Sequence, residues 1–409
     1  MKRILIFMLC ALLLSGCTAP ALDTSPTEAT TPVMEMEYLG NSPVPNIRTG
    51  IMEQALSPTI NVFECTENGV YFLCDTDFGK NYILYADHGS DEFVKLCGRA
   101  ECTHSDKQCN AYIQNGQCLS YYDGYLYFTA GVGSAIQIFR MDLDGSNRVK
   151  VTDTIEAASG YKGSYGSFLG GGVMTASVYK VDESGKEVSQ SLYYKLDGSM
   201  DEVAVLDLGS PHSNHGYDVI ASGPSVENEL PLMGMYRLDF DNNEQTYLTE
   251  FYETCMGYFG AEAYYYVSDG VIYRQVYATG EREVMLDTGL QGDHRLHGFP
   301  DGFIVSEDVA WEDVLEGVTL ESQTLRFYNW DFEYLDEVYI DYPIYRSMTY
   351  DSIIVGETED RILLGDSHFS YATYYIEKSD IGTGNIQLHE YKLPEGIVDA
   401  EKFLDPWDE

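Results

Sequence analysis

The sequence predicts an all-β protein, and two observations carry this prediction. The chain of 409 residues is rich in strand and turn formers, with 34 Tyr, 17 Phe and 38 Gly. Short aromatic stretches also recur at a spacing of about 40 to 55 residues, each followed by a tight turn and a further strand. No stretch of comparable length has the periodicity of a helix.

One copy of the repeat shows all its parts. Aromatic stretches at residues 121–128 and 138–142 are followed by a turn at Asp144 and Gly145 and a final strand at 149–152. Asp-Gly between alternating strands is a strong hairpin signal. The late turn returns near Asp197, Asp241, Thr279, Trp330 and Thr383. Four strands in each repeat predict a single β-propeller of seven blades, with six or eight as alternatives.

The first residues of the chain predict export. Lys2 and Arg3 precede an apolar run over residues 4–14, and Ser15 and Gly16 precede Cys17. The run is too short to span a bilayer, so residues 1–16 fit a secretory signal. The end of this segment resembles the lipobox of bacterial lipoproteins, which implies lipid on Cys17. Residues 17–57 are predicted to be the lipidated cysteine and a flexible tether, and residues 58–409 the propeller.

The repeat resembles the propeller domains of TolB-like and low-density-lipoprotein-receptor-like proteins. Residues 122–128 and 139–145 carry the resemblance, since such families use this framework for blade strands and the hairpin of the outer pair. The whole chain also looks like a group of uncharacterised Gram-positive lipoproteins. This resemblance implies a location on the extracytoplasmic face of the bacterial cell membrane, but it assigns no function.

The charge of the chain excludes one class of partner. A formal net charge of −42 with no basic cluster repels phosphate backbones, so nucleic acid is not expected as a partner. No second apolar run is long enough to cross a membrane, so the lipid on Cys17 is the expected membrane contact. A glycan, a peptide or an envelope protein remains as the expected ligand class.

Six cysteines lie close together in the N-terminal part of the propeller and form the first candidate site. In an exported chain we expect disulfides among them and no cofactor, in an insertion between the first two blades. The alternative is a structural zinc site made of three thiols and one imidazole, Cys97, Cys102, His104 and Cys109. The disulfide candidates are Cys65, Cys74, Cys97, Cys102, Cys109 and Cys118.

Two His-x2-His spacings form the second candidate site. Each spacing ends beside a glycine at the start of a repeat, where connections of a propeller lie on one face. Imidazole and aromatic groups in such connections could hold a sugar ring or a cationic peptide. The alternative is that these are solvent-exposed or capping residues without a ligand. The candidate residues are His212, His215, Tyr258, His294, Arg295 and His297.

The sequence contains none of the common motifs for a catalytic nucleophile, a phosphate loop or a dinucleotide site. We therefore expect a ligand- or protein-binding module at the cell surface rather than an enzyme. Two alternatives stay open, a carbohydrate-active enzyme that uses carboxylates at the channel mouth and a structural envelope scaffold. A carboxylate pair with raised pKa in a pocket would favour the enzyme.

Overall fold

The fold is seen in a computed structural model of the chain, and it consists almost entirely of antiparallel strands. The described residues are 63–77, 80–104, 108–132, 135–152, 155–156, 165–170, 173–181, 187–196, 202–206, 211–215, 218–224, 233–239, 244–251, 257–260, 262–292, 294–299, 301–307, 322–340, 354–366 and 371–397. The predicted signal peptide, Cys17 and the predicted tether lie outside them.

Seven antiparallel sheets follow one another along the described part of the chain. In the first sheet, β1 (Phe63–Cys65), β2 (Gly69–Asp77) and β3 (Lys80–Asp87) pair in order, and both β4 (Val94–Lys95) and β5 (Tyr112–Gln114) pair with β3. In the second sheet, β6 (Gly116–Tyr122), β7 (Tyr125–Val132) and β8 (Ala135–Asp142) pair in order, and β9 (Val149–Lys150) and β10 (Ile155–Glu156) both pair with β8.

The other five sheets each have four strands in chain order. The third contains β11 (Tyr165–Gly170), β12 (Val173–Val181), β13 (Glu187–Lys195) and β14 (Glu202–Leu206). The fourth contains β15 (Pro211–His215), β16 (Asp218–Pro224), β17 (Met233–Asp239) and β18 (Glu244–Phe251). The fifth contains β19 (Gly257–Phe259), β20 (Ala263–Ser268), β21 (Val271–Val276) and β22 (Arg282–Asp287).

The last two sheets complete the series. The sixth contains β23 (His294–Phe299), β24 (Gly302–Glu307), β25 (Gln323–Tyr328) and β26 (Tyr334–Ile340). The seventh contains β27 (Ile354–Glu357), β28 (Arg361–Asp366), β29 (Tyr371–Glu377) and β30 (His389–Glu390), with a single 3-10 turn at Lys378–Asp380.

Tight turns join the strands as the Asp-Gly signals predicted. Asp123 and Gly124 both have positive φ, 48° and 84°, between β6 and β7, as a type I′ hairpin requires. Gly145 has a φ of 79° in the turn between β8 and β9. The predicted turns near Asp197 and Asp241 lie outside the described residues.

Neighbouring sheets share apolar clusters, and this packing arranges them as a ring. Buried residues of the second and third, fourth and fifth, fifth and sixth, and sixth and seventh sheets form common clusters. β11 contacts β15 between the third and fourth sheets. The largest cluster joins the first sheet to both the second and the last, because Phe72 belongs to the same cluster as Phe128 and Tyr375.

A ring of radially packed, consecutive antiparallel sheets is a β-propeller, so the predicted fold class is confirmed. The number of blades in the whole chain stays a prediction, since stretches between the sheets are not described. The first strand of each sheet lies innermost, as β1 contacts both β6 and β27. Where β1 contacts β27, the ring of Phe63 lies directly against Gly356. A Cβ added to Gly356 would lie 2.5 Å from a carbon of that ring.

Candidate metal centre

The cysteine-rich segment interrupts the outer edge of the first sheet. β4 and β5 pair with different parts of β3, and residues 96–111 leave the sheet between them. Both ends of this excursion bond to one residue, because Leu96 N donates to Ile83 O and Ile83 N donates to Ala111 O, each at 2.9 Å. The insertion was predicted between the first two blades. It belongs instead to the edge of the first, since the strands on both sides of it pair with β3.

Four side chains converge within this excursion, and they are those of the predicted zinc alternative. The ligand atoms of Cys97, Cys102, His104 and Cys109 all lie within 4.8 Å of one another. Cys109 Sγ lies 3.5 Å from His104 Nδ1. A tetrahedral zinc ion holds sulfur and nitrogen ligands about 3.5 to 3.8 Å apart, so the spacing suits coordination. We call these four residues the Cys3His cluster.

The disulfides expected from the sequence are absent among the described cysteines. None of the six candidates forms a disulfide with another described cysteine, and Cys65, Cys74 and Cys118 lie buried in strands β1, β2 and β6. The Sγ of Cys118 lies 3.1 Å from Thr129 Oγ1. The structure does not show the predicted disulfides, because sheet packing encloses Cys65, Cys74 and Cys118, while the other three thiols lie close to the His104 imidazole.

Each thiol of the cluster accepts a backbone N–H from the residue two positions further along the chain. His104 N donates to Cys102 Sγ at 3.4 Å. The backbone of Arg99 bonds to Cys97 and that of Ala111 bonds to Cys109. Amide donors aimed at sulfur stabilise the thiolate, which is the form that binds metal.

The pKa values of two thiols reflect this balance between burial and hydrogen bonding. Burial acts to raise the pKa of Cys97, but backbone bonds from Arg99 and Asn110 and bonds from the other two thiols together outweigh it, so the pKa is lowered. Burial raises the pKa of Cys109 to about 12, although the backbone of Ala111 works in the opposite direction. Cys109 is only 1% exposed, so its thiol faces the cluster rather than solvent.

Local turns bring the four residues together. Cys102 N donates to Arg99 O at 3.0 Å, which closes a tight turn between the first two cysteines. The Arg99 guanidinium donates to Gln108 O at 2.8 Å and so spans the excursion. His104 adopts a left-handed backbone with φ of 55°, a conformation that is uncommon for residues other than glycine and that reverses the chain between Cys102 and Cys109.

The predicted histidine site is arranged differently. Tyr258 lies in β19, and His294, Arg295 and His297 lie in β23, all of them buried. The expectation that these residues lie in exposed connections is therefore wrong. The stretches predicted to be the connections before each repeat form the first, innermost strands of the fifth and sixth sheets. His212 and His215 lie in β15, where the structure describes the backbone alone. The ligand-binding role of the whole set stays a prediction.

The two imidazoles of β23 have separate partners. His294 Nδ1 lies 2.9 Å from Gly292 O, and His297 Nε2 lies 3.3 Å from Ser306 Oγ. Complete burial, with Arg295 nearby, holds the pKa of His297 well below its usual value. These imidazoles occupy packing positions and do not converge on a common centre.

Sequence reasoning missed the polar contacts that join the first and last sheets. The guanidinium of Arg361 bonds to Ser90 O at 2.7 Å and to the carboxylates of Asp91 and Glu377 at 3.4 and 3.1 Å. Tyr375 donates its hydroxyl to Asp91 at 2.7 Å. Some 270 residues separate Asp91 from Arg361 in the chain, and no motif marks either one.

Comparisons with known proteins find solved structures that are similar in fold, and they find no related sequence. No protein-family model matches the sequence, and no curated protein matches it. TolB from Acinetobacter baumannii is 12% identical, with 68% of this chain and 64% of that chain covered at a TM-score of 0.35. The propeller domain of the Trilobed protease from Pyrococcus furiosus is 10% identical over 86% and 99%, with a TM-score of 0.41. A chain of the nidogen/laminin complex is 14% identical over 55% and 78%, with a TM-score of 0.33.

Within the described ranges, no helix is both long and apolar enough to cross a membrane.

Proposed function

We propose that the protein is a lipid-anchored, extracytoplasmic β-propeller that binds an extended, cationic peptide segment of an envelope protein. The observation that carries this proposal is the outer strand of the sixth sheet. β26 pairs with β25 alone among the described strands, and an outer strand of this kind can take up a further strand along its other edge. Along it Tyr334, Leu335 and Tyr339 are 54%, 41% and 63% exposed.

The composition of this edge suits a polypeptide partner. Exposed tyrosines give contact area at low conformational cost, and aromatic residues are enriched in protein interfaces. Glu333 and Glu337 add exposed carboxylates beside them. The net charge of −42 favours a basic segment over an acidic one, because complementary charge speeds and orients encounter.

The competing enzyme hypothesis would need carboxylates with raised pKa in an open pocket. Among the carboxylates that the structure describes, Glu357 has a raised pKa, brought to about 7 chiefly by burial and offset in part by Lys378. Its side chain is enclosed and ion-paired to the Lys378 ammonium, and the residue is 1% exposed. Because this enclosed carboxylate is already paired with Lys378, Glu357 does not supply the open pocket carboxylate that the enzyme hypothesis requires.

A peptide array tests the binding surface. The full chain in detergent is applied to extended basic, neutral and acidic peptides, and we expect basic peptides to be retained and released by salt. Leu335→Lys and Tyr339→Lys should weaken that binding about tenfold or more by like-charge repulsion. Val284→Lys on the outer strand β22 is the control, since Val284 is 66% exposed.

Two results would count against the binding surface. Retention that is unchanged in both β26 variants but lost in Val284→Lys would move the contact to the fifth sheet. Retention of no peptide class would reject a peptide partner and favour the scaffold alternative.

The anchor is tested separately. Metabolic labelling with an alkyne fatty acid should mark the wild-type protein and Cys10→Ala, whose cysteine lies inside the apolar run. Cys17→Ala should lose the label and the membrane fraction, because the thiol of Cys17 is the acceptor. A Cys17→Ala protein that stays labelled and membrane-bound would reject the lipoprotein assignment and leave the peptide-binding test unaffected.

A further inference from the structure

We propose that Cys97, Cys102, His104 and Cys109 bind a single structural Zn²⁺, and that this ion secures the contact between the first and last sheets of the ring. The four ligand atoms already lie within 4.8 Å of one another. Three sulfurs and one imidazole nitrogen form a ligand set of the kind found in tetrahedral zinc sites.

The donor set selects the metal and its role. Soft thiolates with one imidazole favour zinc over the oxygen-seeking Mg²⁺ and Ca²⁺. Four protein ligands fill a tetrahedral shell and leave no position for water or substrate, so the site is structural and not catalytic. Each cysteine thiol gives up its proton as its sulfur bonds to the ion, and no oxidation or reduction takes place.

Cations and backbone N–H groups around the cluster would stabilise the negative charge that zinc coordination creates. Three thiolates and Zn²⁺ leave one net negative charge. Two cations stand at the excursion in a chain with only 24 basic residues, since Lys95 Nζ lies 3.4 Å from His104 O and Arg99 binds Gln108 O. Backbone N–H groups on the sulfurs spread the remaining charge, as outer-shell donors do in zinc sites.

The excursion also touches both neighbouring sheets, which links the metal to the ring. Lys95 Nζ bonds to His104 O and also to Glu395 O at 3.2 Å, in the segment that follows the last strand. At the other side Leu96 O lies against Gly145, where an added Cβ would approach it to 2.6 Å. The excursion therefore lies between the second and seventh sheets.

The contact between the first and last sheets, which we call the seam, is formed by the backbone next to the excursion. Phe93 N donates to Lys392 O at 2.9 Å, and Lys392 N donates to Asp91 O at 2.8 Å. The ring of Phe93 packs 4.7 Å from that of Tyr391. Because β4 and the cluster follow directly on Phe93, an ion that fixes residues 97–109 also restrains the strand that meets the last sheet.

Metal analysis of the full chain, purified without a metal-affinity tag, is the first test. We expect equimolar zinc in the wild type, and the same in Cys118→Ser, whose thiol lies outside the cluster. Cys97→Ser and Cys109→Ser should each lose the zinc. As a check that does not depend on a mutant folding, Co²⁺ exchanged into the wild type should give the visible spectrum of a tetrahedral thiolate site.

Hydrogen exchange of the wild type with and without a chelator tests the second part. We expect faster exchange after chelation in residues 91–113 and also in 389–397, with no change in the fifth sheet. Faster exchange confined to residues 96–111 would reject the link to the seam. Disulfides among Cys97, Cys102 and Cys109 in zinc-free protein, or zinc retained in both serine variants of the cluster, would overturn the metal site.

Discussion

The Cys3His cluster and strand β23 look similar in the sequence, since each has potential metal ligands a few residues apart. In the fold the ligands of the cluster converge, whereas the histidines of β23 do not. In the cluster, tight turns and a left-handed His104 bend the chain so that four donors meet. In β23, His294 and His297 stand three positions apart in an extended strand and therefore point to opposite faces, about 10 Å apart along it. Short spacings along the chain thus lead to convergence in a loop and to divergence in a strand.

The backbone explains why this difference matters chemically. Amides in the excursion are not used in a sheet, so they are available to donate to the sulfurs of Cys97, Cys102 and Cys109. In β23, by contrast, alternate amides are committed to its antiparallel partner β24. A loop therefore supplies both the curvature and the donors that a metal centre needs.

The largest effect on stability is expected at Tyr258, which tests whether the predicted histidine site is a packing region and not a binding site. Its ring packs 5.2 Å from that of Trp330 and lies over Gly298, where an added Cβ would come within 2.4 Å of it. Tyr258→Ala should lower the free energy of unfolding by about 3 to 5 kcal/mol. Urea denaturation would measure this, and Tyr339→Ala, 63% exposed, is the control that should change it by less than about 0.5 kcal/mol. An unchanged midpoint in Tyr258→Ala would return this residue to the binding surface that the sequence predicted.

A smaller effect is expected from Glu357, a titrating group held in a strand. Burial raises its pKa from 4.5 to about 7, so the folded state binds the proton more tightly than the unfolded state does. Stability should therefore fall as the pH rises from about 4.5 to about 7, by at most about 3 kcal/mol. Urea titrations across this range would compare the wild type with Glu357→Gln, which should lack this fall in stability. A slope retained by the variant would assign it to other groups.

His297 should give a slope of the opposite sign at pH values below the ordinary pKa of histidine. Its pKa in the folded state lies below the ordinary value of 6.5, chiefly through burial, so the unfolded state binds the proton more readily. Stability should fall as the pH drops below about 6.5, and His297→Gln should remove that part of the profile. A pH profile unchanged in His297→Gln would assign this part of the dependence to other groups.

The smallest effect on stability is expected at Lys95, next to the Cys3His cluster. Lys95→Met keeps an apolar stem but removes the bonds to His104 O and Glu395 O, at a cost of about 1 kcal/mol. Zinc content should stay unchanged, because Lys95 is not a ligand, while exchange at residues 389–397 becomes faster. Lys150→Met, on the exposed edge strand β9, is the matched control. Loss of zinc in Lys95→Met would show that the charge of this residue is needed to form the site.

The fold could be predicted well because its signals are local. Asp123 and Gly124 specify a hairpin through their own backbone preferences, and alternating aromatic residues specify strands that bury one face. The four proposed zinc ligands could be named from the sequence, but coordination could not be chosen over disulfides, since six cysteines allow many pairings. The export signal and the lipid on Cys17 stay predictions from the first residues of the chain.

The sequence by itself determined the all-β class, the repeat with its turns and the identity of four potential zinc ligands, because strand propensity and turn chemistry act between neighbouring residues. Only the tertiary structure decided which of those groups meet. Pairing of both β4 and β5 with β3 brings Cys97 and Cys109 to one point, and closure of the ring places Arg361 beside Asp91. Such contacts depend on sheet packing over hundreds of residues, and that packing leaves no pattern in the residues that it joins.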